Sequence, residues 1–221
     1  VYYLVAFLFK TPLALQGLLA WAAVHCWRTR ARRSFRRDEL VLLVPVVFFT
    51  VYFDLFFKAQ IGLRYFLVAY PLLIVFAGSL AADWSGLGRR ARIGVALLAA
   101  WMVASNLYYF GHYLTYFNEL IGPRTNAYKI LADSNLDWGQ NILDLQDYLA
   151  AHPDVQRNPA EPLPGRYIVD VNIVAGIDTA RPGHWVHFFE PVGQVAFTYL
   201  LYDITTADLE QALSHLQRQK K

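Results

Sequence analysis

Cysteine is almost missing from this chain: Cys26 is the only one in 221 residues. That excludes an intrachain disulfide and any cysteine-based metal cluster. Charge is thin as well. Charged residues make up 17% of the chain against 56% hydrophobic ones, and the mean hydropathy is +0.28. An ordinary soluble domain is less apolar. The net charge of +3 comes from basic residues gathered between apolar runs. That is a membrane pattern and argues against a nucleic-acid partner. The chain also has no Gly-rich phosphate loop, no GxSxG and no HExxH. Its six histidines are scattered; His184 and His187 are three apart, but zinc needs further ligands. The chain starts at Val1, inside an apolar run and without a preceding Met, so the expectation is that it is the C-terminal part of a longer protein.

What is present is a series of apolar runs. A spanning helix needs about 20 mostly apolar residues. Four runs qualify: Tyr2 to Trp27, Leu40 to Phe57, Tyr65 to Ala82 and Ile93 to Phe110. A buried hairpin in place of the two middle spans is the alternative. Arg28, Arg30, Arg32, Arg33, Arg36 and Arg37 follow the first run, and Arg89, Arg90 and Arg92 precede the fourth. The positive-inside rule puts both clusters in the cytoplasm and everything after Phe110 outside. Tyr2, Tyr3, Trp27, Trp84, Tyr108, Tyr109 and Tyr113 read as an interfacial aromatic belt. Lys10 precedes Trp27 by seventeen residues, about 25 Å of helix, which sets it near the outer face. Asp54 and Arg64 fall at the same level. Charges there are candidate functional groups. The plainer readings are snorkelling of Lys10 and Arg64, and an i, i+4 pair of Asp54 with Lys58.

The second half reads as a small water-facing domain. Residues 111–141 form a connector, and Leu114, Phe117, Leu120 and Ile121 pattern a short amphipathic helix that Gly122-Pro123 ends. Asn118 and Glu119 lie in that stretch. Asp133, Asn135 and Asp137 have the 1, 3, 5 spacing of a calcium loop, but Trp138 stands where such a loop needs glycine. A capping box from Asp137 to Gln140, opening a helix to about Ala151, fits better. A sugar- or phosphate-facing role for Asp133 and Asn135 is the remaining option. His152 to Pro164 reads as a loop, Tyr167 to Asn172 and Val195 to Ile204 as strands, and Ala207 to about Gln217 as a helix capped by Thr205 or Thr206. Lys220 and Lys221 read as a frayed end. The expected fold is therefore a membrane all-α module over residues 1–110 with about four transmembrane helices. A small α/β extracytoplasmic domain over 142–221 follows it.

The run LTYFNELIGPRTNAYKILADSNLDWGQNILDLQDYL resembles the C-terminal segment of bacterial membrane glycosyltransferases of the GT-C class. These are relatives of the protein O-mannosyltransferases and the aminoarabinose–lipid A transferases. IGLRYFLVAYPLL, FKTP, PGRYIVDVN and FFEPVGQVAFTYLLYDI are similar to further segments of that class, although Val68 replaces a frequent proline. The resemblance implies an inner-membrane enzyme that moves a sugar from a polyprenyl-phosphate donor to a lipid or protein acceptor on the outer face. Lys10 and Arg64 would contact the donor phosphate, with a divalent cation left open as a helper. Asp54, Asn118, Glu119, Asp133, Asn135, Asp137 and Trp138 would be candidates to face substrate. The catalytic carboxylate of the class is expected upstream of this chain. A non-catalytic, membrane-anchored module that binds a glycan or a partner protein is the rival reading, with Trp138, Trp185 and Tyr167 as sugar-stacking groups. A transporter fragment fits less well, because the mid-span positions are apolar.

Overall fold

The computed structural model describes residues 1–29, 35–59 and 62–219. Arg30, Arg32, Arg33, Lys220 and Lys221 lie outside the described residues. The chain divides into two compact units. One comprises Val1–Tyr113 with Phe117–Leu120, the other Leu114–Tyr116 with Ile121–Lys221. Residues 111–141 are thus shared between the two.

The first unit is helical. α1 (Tyr2–Lys10) and α2 (Leu13–Thr29) come from the first apolar run, but they are bent by 108°. This corrects the expectation of one straight span. The cause is Pro12. A proline pushes the residue before it out of the helical region and lacks the N–H that would reach back four residues. Thr11 is accordingly extended, at φ −98° and ψ 134°. α3 (Phe35–Val51) runs into a π-helical turn at Tyr52–Phe56. Gly62, at φ +106°, then opens a 3-10 segment, Leu63–Ala69, that leads into α4 (Tyr70–Ala82). α5 (Arg89–Tyr108) closes the unit.

Leu15, Leu18, Ala22 and Cys26 recur at helical spacing on α2 and pack on Phe76, Ala77 and Leu80 of α4. Cys26 is therefore a small core residue, with its Sγ 3.7 Å from Ser79 Oγ. A second cluster is aromatic: Tyr3 and Phe66, flanked by Phe7, Phe53, Phe57 and Tyr70. Among the described residues, three helices are long and apolar enough to cross a membrane, Glu39–Phe56, Leu63–Ala82 and Arg89–Tyr108. Counting the bent pair as one span gives up to four. Only 6% of the first window and none of the last is buried.

The second unit is α/β. Three single 3-10 turns (Tyr113–Thr115 and Glu119–Ile121, both at the boundary, and Arg124–Asn126) and α6 (Ala127–Ile130) replace the amphipathic helix expected after His112. Gly111 and Gly122 sit at φ +84° and +69°, conformations that end a helix at each side of the stretch. After α7 (Ile142–Ala151) come β1 (Val155–Arg157), β2 (Gly165–Asp170), α8 (Val171–Val174), a 3-10 turn at His184–Phe188, β3 (Gly193–Val195), β4 (Tyr199–Ile204) and α9 (Thr206–Gln219). The sheet order is β1-β2-β4-β3, parallel for the first pair and antiparallel elsewhere. Its core holds Leu145, Val155, Ile168 and Tyr199.

Three sequence readings change here. Residues 152–164 contain β1. β2 stops at Asp170 and turns into α8. Val195 to Ile204 is a hairpin and not one strand. Its turn puts Ala196 and Phe197 at φ 49° and 59°, closed by a bond from Thr198 N–H to Val195 C=O at 3.1 Å. Such turns favour Asn-Gly, which is absent here. The Asn141 amide donates to Ala196 C=O and to Thr198 Oγ1, which anchors the turn. The last helix is capped at Thr205, one of the two expected positions, and the cap is a capping box. Asp208 Oδ2 accepts the Thr205 N–H at 2.9 Å, and Thr205 Oγ1 accepts the Asp208 N–H at 3.3 Å.

Candidate functional site

In the helical unit the polar atoms gather at the break between α1 and α2. Pro12 leaves the Leu8 carbonyl without a helical donor, and the extended Thr11 leaves others open. Gln16 Nε2 donates to Leu8 C=O at 2.8 Å and to Thr11 C=O at 3.0 Å. Asn118 Nδ2 donates to the same two carbonyls at 2.5 and 2.8 Å, and its backbone N–H reaches Phe9 C=O at 2.8 Å. Thr11 Oγ1 lies 2.5 Å from the Tyr70 hydroxyl. Asn118 is fully buried and spent on backbone groups. It plugs the break between α1 and α2.

Lys10 sits at the last position of α1, immediately before the break, with Nζ 4.6 Å from the centre of the Phe117 ring. Arg64 lies exposed in the 3-10 segment, its guanidinium 5.1 Å from the Tyr65 ring centre. Both belong to the helical unit. Asp54 falls in the π-helical turn with its side chain only 5% exposed, and Oδ1 accepts the Tyr3 N–H at 2.8 Å. The pair with Lys58 is not formed among the described residues. Phe57 is already extended, so the i, i+4 geometry is lost. Glu119 is exposed and accepts the Trp101 Nε1–H at 3.3 Å. Two of the supposed interfacial aromatics are core residues. Tyr3 is fully buried with its hydroxyl donating to Ala59 C=O at 2.7 Å, and Tyr109 is 1% exposed with its hydroxyl on Phe117 C=O.

In the α/β unit the sheet topology builds a cleft of about 390 Å³. β1 and β2 run parallel and β4 runs against them, so Arg157, Asp170 and Tyr199 come to one end of the sheet. Asp170 is 3% exposed, and its carboxylate holds two guanidinium groups. Arg157 donates Nε–H to Oδ1 at 3.2 Å and Nη2–H to Oδ2 at 2.9 Å; Arg181 donates Nη1–H to Oδ2 at 2.9 Å. Arg181 also pairs with Asp178 at 2.5 Å. Such forked, charge-assisted bonds fix orientation as well as charge.

The SNLDWGQ run forms the other wall. Asp137 and Trp138 line the cleft with Gly139, Ile142 and Asn172. Asp137 is no helix cap: its Oδ1 accepts the Gly139 N–H at 2.8 Å, while Gln140 Oε1 accepts the Trp138 N–H at 2.7 Å. This small turn needs φ +78° at Gly139, and α7 starts later, behind Asn141. Burial pushes the Asp137 carboxyl above the usual carboxylate range, opposed in part by the Gly139 N–H. Burial likewise lifts the Tyr199 phenol to about 12. Trp138 is 59% exposed at the rim. Asp133, at φ 56°, donates its N–H to Asn172 Oδ1 at 3.0 Å, and Asn135 is buried with its amide on Ala132 C=O. Trp185 and Tyr167 pack edge to face on each other, with their polar atoms on Pro159 and Leu163 carbonyls; Tyr167 is buried, whereas Trp185 is half-buried.

Among the described residues no group of three His, Cys, Asp or Glu is placed to hold a metal ion. Sequence reasoning found Asp137 and Trp138 but missed Arg157, Asp170, Asn172 and Arg181. The one signal was the pair of polar residues ending the apolar run YIVDVN. No protein-family model, curated protein or solved structure matches the chain.

Proposed function

We propose that this chain is the membrane-embedded C-terminal part of a glycosyltransferase that takes sugar from a polyprenyl-phosphate donor at the outer face of the inner membrane. The observation that carries the reading is Lys10 at a proline-made helix break whose carbonyls are already taken by Gln16 and Asn118. Irregular backbone at membrane depth is tolerated where side chains satisfy it, and such breaks are frequent ligand sites. A cation held there suits an anionic headgroup, and Arg64 adds a second donor suited to phosphate.

In the reaction, a base removes the proton of the acceptor hydroxyl, and that oxygen attacks the anomeric carbon. The bond from this carbon to the phosphate oxygen breaks, and polyprenyl phosphate leaves with the electron pair. Lys10 and Arg64 stabilise the charge that grows on the phosphate. No residue of this chain is assigned as the base. The test is transfer from a radiolabelled polyprenyl-phosphate sugar in membranes carrying the full-length protein. Lys10→Ala and Arg64→Ala should each lower transfer at least about tenfold at equal protein level, the loss of roughly one charge-assisted contact. Unchanged transfer in both variants overturns the phosphate role.

A further inference from the structure

We propose that the cleft at the end of the sheet in the α/β unit is a binding site for a neutral saccharide, with Trp138 as its stacking platform. The proposal stands apart from the transfer reading, since every lining residue lies within the α/β unit.

The size fits first. Ligand clefts run from about 300 to 1,000 Å³, and this one is about 390 Å³. Its wall mixes an exposed indole, a branched aliphatic side chain (Ile142), guanidinium donors, carboxylate acceptors and a carboxamide. A sugar ring offers the matching surface, with apolar C–H faces for the indole and a rim of hydroxyls that both donate and accept.

Charge then decides against the other polar ligands. Arg157 and Arg181 carry two positive charges, and Asp170 and Asp178 cancel them through direct bonds. No net positive charge is left for a phosphate, which would also meet Asp137. A cation is no better served. Asp170 already accepts three guanidinium N–H groups, and Asp137 Oδ1 is taken by Gly139. An uncharged polyol asks only for the remaining N–H groups and lone pairs.

The walls are also preorganised. Arg157 is forked onto a buried carboxylate on the neighbouring strand, Arg181 is held from two sides, and Gly139 fixes the turn that presents Trp138. Rigid donors lower the ordering cost of binding.

The experiment is saturation-transfer NMR on the full chain in lipid nanodiscs, prepared without glycoside detergents. The probes are methyl α-mannoside, methyl α-glucoside, methyl β-galactoside and a set of neutral trisaccharides, with inorganic phosphate as competitor. Wild type should transfer saturation to ring C–H protons of at least one probe, and phosphate should not displace it. Trp138→Ala should weaken binding about tenfold, as expected for a lost aromatic platform, while Trp138→Phe retains most of it. Circular dichroism should be unchanged in both, because Trp138 is exposed. No transfer to any probe, equal transfer in Trp138→Ala, or displacement by phosphate overturns the proposal. Polyprenyl-phosphate transfer is scored separately on Lys10 and Arg64, so either reading can fail alone.

Discussion

The two units meet the same difficulty, polar atoms removed from water, in opposite ways. At the break between α1 and α2 the open carbonyls are satisfied by neutral amides, Gln16 and Asn118. At the end of the sheet a buried carboxylate is satisfied by two guanidinium groups, with side chains 37% and 52% exposed. The difference follows from the surroundings. An amide costs little to desolvate once bonded, whereas a charge pair far from water must repay several kcal/mol per ion. Charge is present in the helical unit as well: the Asp54 carboxylate, its side chain 5% exposed, accepts the Tyr3 N–H, and Lys10 ends α1 beside the break, where it carries the functional reading of that unit.

The comparison can be broken most severely at the helix break. Gln16→Leu combined with Asn118→Leu leaves the Leu8 and Thr11 carbonyls without side-chain donors, at roughly 1–3 kcal/mol each. Thermal unfolding in nanodiscs should show a loss larger than the sum of the single variants, because each amide covers for the other. Adding Pro12→Ala should restore part of that stability, since residue 12 then has an N–H for Leu8. No rescue by Pro12→Ala would show that the amides serve something other than the broken helix.

The charged end is expected to be more forgiving. Asp170→Asn removes the anion from between Arg157 and Arg181, but both can turn to water. The cost should be about 2 kcal/mol, below the 3–5 of a fully buried broken pair. Denaturant unfolding measures it, and a cost above that of the double amide variant would reverse the ranking of the two regions.

The smallest effect concerns Asp137. Its carboxyl is raised by burial, so the folded state holds a proton more tightly than the unfolded one. Stability then falls as pH rises from the ordinary carboxylate value through the raised one, and the penalty is full above it. Asp137→Asn keeps an oxygen for the Gly139 N–H and removes the penalty. The variant should melt slightly higher than wild type at neutral pH, with the gain vanishing in acid. A gain that persists in acid would place its cause elsewhere.

Much of the fold was legible because the signals were local. The runs that became α3, the 3-10 segment with α4, and α5 lie within a few residues of the observed helices, and the Thr205 cap formed where expected. Asp137 and Trp138 stood out through an unusual polar-aromatic run. The misses have two causes, a competing local turn and a partner distant in sequence. Gln140 bonds within a tight turn and does not cap a helix; Asn118 leaves its own segment to bond residues over a hundred positions earlier. The Ala196–Phe197 turn is anchored by Asn141, which no local rule would suggest.

By itself, then, the sequence determined the class of each half, since hydropathy, helix length and cap chemistry are properties of neighbouring residues. Even the bend at Thr11-Pro12 was written locally, in the proline. Only the tertiary structure decided what fills that bend and which charges meet at the sheet end. Arg157, Asp170 and Arg181 lie on separate strands and loops; the pairing of β1 with β2 brings Arg157 to Asp170, and the loop after α8 brings Arg181 there.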